Sequence, residues 1–269
     1  MQKEKTAKRK ILRRIVLILL AVIVLLCAGF VGYCMLVEKP AAQSVAAYGE
    51  AFGSVAINVT EDGGVELLPQ SAPLRDTAII FYVGAQIEPR AYIPLLARLA
   101  GEGYRCFIPE LSFNLAIMEK NAAEAIISAH PEIGSWVLAG HSLGGLTAAG
   151  FADSHPDEVD GLILLAAYPN SDMSDASLPT LSVFGDRDGV LNRELYEKRL
   201  SWEPADFEEQ IIVGANHSQF GDYGKQPRDN EALLSGEEQQ IKTAELISDW
   251  LSRNDMAGGS NGQNTQAAA

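Results

Sequence analysis

Cysteine is scarce in this chain and badly placed for crosslinking. Of the three, Cys27 and Cys34 fall inside one apolar run, which leaves Cys106 without a partner. No disulfide framework holds the fold, and Cys106, in the strand-like run Tyr104-Arg105-Cys106-Phe107-Ile108, reads as a small hydrophobe. Basic residues are thin beyond the start. Residues 1–14 hold seven of the 21 Lys and Arg but only one, Glu4, of the 35 acids, so 14 basic residues face 34 acidic ones in the remainder. A surface that acidic repels a phosphate backbone and excludes nucleic acid as the partner of the globular part. Also missing are a Gly-x4-Gly-Lys phosphate loop, a zinc-binding His-Glu-x-x-His and a dinucleotide fingerprint, so no cofactor and no metal is implied.

One long apolar segment stands at the front. The 23 residues from Ile15 to Val37 carry no charge, and at ~1.5 Å per residue they reach roughly 34 Å, enough to cross the hydrocarbon layer of a bilayer. The segment predicts a transmembrane helix over 15–37; the alternative is a cleaved signal peptide, with Val45-Ala46-Ala47 as its small-residue cleavage site. Lys8, Arg9, Lys10, Arg13 and Arg14 on the N-terminal flank predict a cytoplasmic 1–14 and a domain on the extracytoplasmic side of the cell membrane. Residues 38–53, with Pro40 and a run of Ala, Gln, Ser and Gly, read as a tether, 54–254 as one domain, and 255–269 as a disordered tail.

Within that domain, short runs of Ile, Val, Leu and Phe alternate with longer amphipathic stretches, as in a parallel sheet covered by helices. Strands are expected at 54–59, 64–68, 77–83, 105–109, 135–139, 161–166, 180–184 and 210–213, and helices at 90–101, 114–129, 142–153, 192–200 and 235–253.

The segment that points to chemistry runs Trp136-Val137-Leu138-Ala139-Gly140-His141-Ser142-Leu143-Gly144-Gly145, an apolar strand, then Gly-x-Ser-x-Gly, then a small-residue helix. Glycines at 140 and 144 permit a sharp strand-to-helix turn with Ser142 exposed at the helix N-terminus, where free N–H groups favour developing negative charge. A serine hydroxyl needs a base. His141 precedes the serine and points elsewhere, while His130 and His155 each precede a proline in polar surroundings. His217, after Ile211-Ile212-Val213-Gly214-Ala215-Asn216, falls at the carboxyl edge of the sheet, where parallel α/β folds collect functional groups. The acid comes from Gly185-Asp186-Arg187-Asp188-Gly189-Val190. Asp188 is favoured over Asp186, which suits a turn-shaping role. The order Ser142, Asp188, His217 differs from those of chymotrypsin and subtilisin. The oxyanion donors are expected to be the N–H groups of Leu143 and Ala85, with Gln86 as the alternative to Ala85.

On these residues the chain resembles the α/β-hydrolase family over 54–253. More narrowly, through Phe81-Tyr82-Val83-Gly84-Ala85-Gln86-Ile87-Glu88-Pro89-Arg90-Ala91-Tyr92 and Asn216-His217-Ser218-Gln219-Phe220-Gly221-Asp222-Tyr223, it resembles a small bacterial subgroup related to dienelactone-hydrolase-like proteins. Dienelactone hydrolase itself uses a cysteine nucleophile; Ser142 stands here instead, so its substrate does not carry over. The resemblance implies an α/β-hydrolase fold with a mostly parallel sheet flanked by helices. It implies a hydrolase and does not name the ester; with the apolar segment 15–37 and the Ser142, Asp188, His217 set, the chain reads as a membrane-anchored serine hydrolase acting on a small carboxylic ester or thioester. The alternatives are an acyltransferase using the same triad and a catalytically idle binding protein. Only a dozen polar residues, 168–179, connect the strands that often bracket a lid domain, which predicts no separate lid, an open cleft and short acyl groups.

Overall fold

The computed structural model describes residues 2–37 and 39–254; the expected tail, 255–269, lies outside the described residues. Two compact units divide between Glu38 and Lys39. The first is one helix, α1 (Gln2–Val37). Its stretch Leu12–Gly32 has a mean hydropathy of 3.2 and none of it is buried within the molecule, a length and composition that membrane spans and signal sequences share.

The second unit is built on an eight-stranded sheet. Its strands are β1 (Val55–Val59), β2 (Val65–Pro69), β3 (Thr77–Tyr82), β4 (Arg105–Ile108), β5 (Ser135–His141), β6 (Gly161–Leu165), β7 (Thr180–Gly185) and β8 (Phe207–Ile212), in the spatial order β1-β2-β4-β3-β5-β6-β7-β8. β1, β2 and β4 pair antiparallel, and every other pairing is parallel. β3, β6 and β7 are buried along their whole length, and β3 and β6 read as mostly apolar runs because parallel strands covered on both faces need apolar side chains on each; β7 also buries Thr180 and Ser182, the latter hydrogen-bonded to Tyr196. β8, at one edge, accommodates Glu208, Glu209 and Gln210. It therefore begins at Phe207 rather than at the expected 210, since charges suit an exposed edge.

The helices that matter for the site are α3 (Ile93–Gly101), α5 (Leu143–Ser154) and α7 (Gly236–Arg253). α3 and α7 pack on each other, and α5 packs against β3, β5 and β6. α7 starts at a capping box in which Ser235 Oγ accepts from Glu238 N–H and the Glu238 carboxylate accepts from Ser235 N–H, satisfying donors the first turn leaves free. It buries Ala244, Ile247, Trp250 and Leu251 along one stripe. Smaller helices are α2 (Val45–Ala51), α4 (Ala122–Ala129) and α6 (Arg193–Arg199). Because β3 is followed by β4 on one side and by β5 on the other, the chain reverses direction at β3, and the carboxyl edge there is a topological switch point.

Two expectations are corrected. Residues 39–53 are not a free tether. Lys39 pairs with Ile87, α2 follows, and Tyr48 is 1% exposed with its hydroxyl donating to Asp222 Oδ2 at 2.8 Å. Nor is 114–129 one helix. Ser112–Asn114 and Ala116–Glu119 are single 3-10 turns, Phe113 and Asn114 take positive φ, and the α-helix starts only at Ala122. No helix or strand lies between β6 and β7, so there is no lid domain there.

Glu203, after α6, is 6% exposed, and neither of its carboxyl oxygens has a hydrogen-bond partner among the described residues. Burial pushes its pKa up to about 8 from 4.5, so the folded state holds the proton that the unfolded chain releases. The contribution of Glu203 to stability is then greatest below about pH 4.5 and falls as pH rises towards about 8, by on the order of a few kcal/mol. The Glu203→Gln variant is expected to gain melting temperature over the wild type, more at pH 8.5 than at pH 5. Thermal unfolding at the two pH values checks this, and an equal offset at both would contradict it.

Candidate active site

Ser142 follows β5 directly and is the N-cap residue of α5, with φ 54° and ψ −120°, a conformation that L-residues avoid. The surroundings over-determine it. Ser142 N–H donates to Leu165 O at 2.9 Å, and Ser142 O accepts from Gly145 N–H at 3.0 Å. A Cβ on Gly144 would lie 2.1 Å from Tyr82 O, and one on Gly140 would lie 2.4 Å from the Gly144 carbonyl carbon. The helix therefore approaches the sheet closely only because both positions are glycine. Ser142 Oγ makes no capping bond to α5, which leaves it half-buried at the carboxyl edge of the sheet.

His217 and Asp188 meet there. His217 Nδ1 lies 2.8 Å from Asp188 Oδ2, with both side chains buried. Asp188 Oδ1 accepts from Val190 N–H and Leu191 N–H at 2.8 Å each, which orients the carboxylate. A carboxylate can only accept, so Nδ1 of His217 carries the proton and the lone pair is on Nε2. Nε2 is buried without a hydrogen-bond partner. The hydrogen bond between it and Ser142 Oγ is not formed in this conformation, as is common before substrate binds. The His217 ring instead packs on that of His141, adjacent to the serine, with centroids 4.5 Å apart. Asp186 is held elsewhere: its Oδ1 accepts from Gly214 N–H at 2.7 Å and ties the end of β7 to the loop after β8.

Leu143 is the first residue of α5, so its N–H has no intrahelical partner. Of the two alternatives in the loop after β3, Gln86 N–H is engaged by Asn114 O at 2.7 Å, while Ala85 N–H makes no hydrogen bond among the described residues. Ala85 is thus the available donor. Glu88 Oε2 accepts from Ala41 N–H at 2.7 Å and the carboxylate pairs with Arg90. Gln219 backbone N–H donates to Asn216 Oδ1 at 3.1 Å, and Tyr223 OH donates to Gln226 Oε1 at 3.1 Å.

Three supports went unseen in the sequence. Asp229 Oδ1 accepts from His217 N–H and from Gly189 N–H, both at 3.2 Å, and Oδ2 accepts from Ser218 N–H at 2.8 Å. This one carboxylate clamps the histidine loop to the acid loop. Gln239 on α7 holds the Asn216 backbone at both ends, accepting its N–H at 3.0 Å and donating to its carbonyl at 2.8 Å. The third is Tyr92, whose oxygen accepts from Gly84 N–H at 3.1 Å and lies 2.8 Å from His141 Nδ1. Burial first, and then the neighbouring His217, hold His141 well below the usual histidine range, so a neutral ring lies under His217. Asp229 and Gln239 sit in no local motif, and no signal short of tertiary contact would have found them; Tyr92 lies in the resemblance segment Phe81–Tyr92, but its contacts with Gly84 and His141 appear only in the fold.

A groove of about 840 Å³ lies behind the histidine loop, between Tyr48, Arg98, Gln219, Asp229 and Glu237, and neither Ser142 nor Leu143 nor Ala85 lines it. Among the described residues no group of three or more His, Cys, Asp or Glu side chains is arranged to hold a metal ion.

A serine on a strained strand-to-helix turn, with an ordered histidine and acid following in that chain order, defines a class that the sequence comparison names. The alpha/beta hydrolase family model matches residues 78–241, more than half of the chain, and the protein belongs to that family. Similar solved structures include an α/β serine hydrolase without lid from Xanthomonas campestris (14% identity, 74% of this chain and 93% of that one, TM-score 0.53). The esterase domain of a Rhodothermus marinus protein is another (16%, 74% and 97%, TM-score 0.53). A membrane phospholipase A described as a bacterial virulence factor covers more of this chain (16%, 88% and 98%, TM-score 0.55). At these identities the likeness is one of fold. No protein of curated function matches the chain.

Proposed function

We propose that the protein is a serine-dependent hydrolase that cleaves a carboxylic ester or thioester through an acyl-serine intermediate. The observation that carries this reading is the buried His217–Asp188 pair, which leaves Nε2 as a proton acceptor beside the Ser142 turn. Ser142 Oγ gives its proton to His217 Nε2 as it attacks the carbonyl carbon. The N–H groups of Leu143 and Ala85 receive the oxyanion. His217 then protonates the leaving alcohol or thiol, leaving the acyl group on Ser142, and water attacks the acyl-serine with His217 again as base. Asp188 keeps the imidazole in the tautomer the first step needs and stabilises it once charged. Subgroup kinship to dienelactone-hydrolase-like proteins is part of this proposal and rests on the segments around Gly84 and His217. Hydrolysis of p-nitrophenyl esters, with and without added alcohol, tests it: release of free acid is expected, and acyl-alcohol as the main product would favour the transferase instead.

We further propose that α1 spans the cell membrane, with the basic residues 1–14 inside and the hydrolase domain on the extracytoplasmic side. Protease added to intact cells is expected to remove the domain. A domain protected until the cells are lysed would overturn this orientation, and a mature chain starting near Tyr48 and free in the medium would mean that the segment is a signal peptide.

A further inference from the structure

The connection 168–179 offers little apolar surface, but the segment between β4 and α4 does not share that character. Between β4 and α4 the chain exposes Phe113, Ile117 and Met118, 41%, 63% and 55% accessible. This segment touches both elements that carry the oxyanion donors. Asn114 O accepts from Gln86 N–H at 2.7 Å, next to Ala85, and the turn Ala116–Glu119 packs against α5, which begins at Leu143. Large exposed apolar side chains on a segment that contacts both oxyanion elements are suited to receive an apolar ligand.

The same oxyanion loop is strapped to the chain that emerges from the apolar helix. Lys39 N–H donates to Gln86 O at 2.7 Å, Glu88 N–H donates to Lys39 O at 3.0 Å, and Lys39 Nζ donates to Ala85 O at 3.4 Å. Resting on the reading of a membrane-anchored serine hydrolase, we infer that the substrate is a lipid ester of the anchoring membrane, with Phe113, Ile117 and Met118 receiving its acyl chain beside Ser142. This replaces the expectation of short acyl groups: the surface that would hold a long chain belongs to the loop after β4, not to the connection after β6.

The test uses the full chain reconstituted in phosphatidylcholine vesicles and the ratio of kcat/KM for p-nitrophenyl laurate, dissolved in the vesicles, to that for p-nitrophenyl acetate. The wild type is expected to favour laurate. The double variant Ile117→Ser, Met118→Ser is expected to lower the ratio by at least about tenfold, the scale set by losing a few apolar groups from a pocket. Ile117→Leu, Met118→Leu is expected to keep it. A wild type that prefers acetate, or a serine variant with an unchanged ratio, would overturn the inference while leaving ester hydrolysis standing. Cleavage of neither ester by the wild type would overturn the hydrolase reading and this inference with it.

Discussion

Replacing Ser142 by alanine is expected to remove turnover of every ester by about 10⁴ to 10⁶ while leaving the domain folded. The hydroxyl is not a structural group here: it makes no capping bond to α5 and no other hydrogen bond among the described residues. Its loss leaves no buried partner unsatisfied, and the strained backbone at φ 54° is held by Gly140, Gly144 and the bond to Leu165 O, none of which involves the side chain. The thermal midpoint should therefore stay close to that of the wild type, and circular dichroism with an esterase assay on the same sample separates the two effects. Wild-type turnover in Ser142→Ala would remove the serine from the mechanism.

The Asp188→Asn variant should lose about 10⁴ in kcat, the size that the same change has in another triad. Asparagine offers an N–H where Nδ1 of His217 needs an acceptor, so the imidazole turns to the other tautomer and presents a proton, not a lone pair, to the serine. Asp186→Asn should cost far less in kcat, because Asp186 touches Gly214 N–H and not the histidine, and the amide oxygen can still accept that bond. The paired kinetics distinguish the two aspartates, and the reverse ranking would show that the orienting acid is Asp186.

How much of this was legible in the sequence depended on whether the determinant was local. β3, β5 and β6 read correctly because a strand buried on both faces is apolar at most successive positions, and Ile79-Ile80-Phe81 and Leu162-Ile163-Leu164-Leu165 can be little else. The Ser142 turn, the acid loop and His217 were readable because each follows a strand at short spacing. The strap 39–53 was not. Its Ala, Gln and Ser carry no periodic signal, and what orders it is the pairing of Lys39 with Ile87 and the Tyr48–Asp222 bond across 174 residues. Asp229 escaped for the same reason, as one acid in a polar loop whose role exists only once the two loops it clamps are brought together. The break in 114–129 lies in between: Ala122–Ala129 has helical character, but Asn114 is fixed outside a helix by its bond to Gln86 in the oxyanion loop.

The central claim, that Ser142 is the nucleophile activated by this site, is tested most directly by reacting the folded protein with a fluorophosphonate. An activated serine expels fluoride and keeps the phosphonyl group, whereas an ordinary serine stays unmodified. Mass spectrometry of the digested protein is expected to find one adduct, on Ser142, and none in the Ser142→Ala variant. An unlabelled wild type, or an adduct that persists in Ser142→Ala, would contradict it.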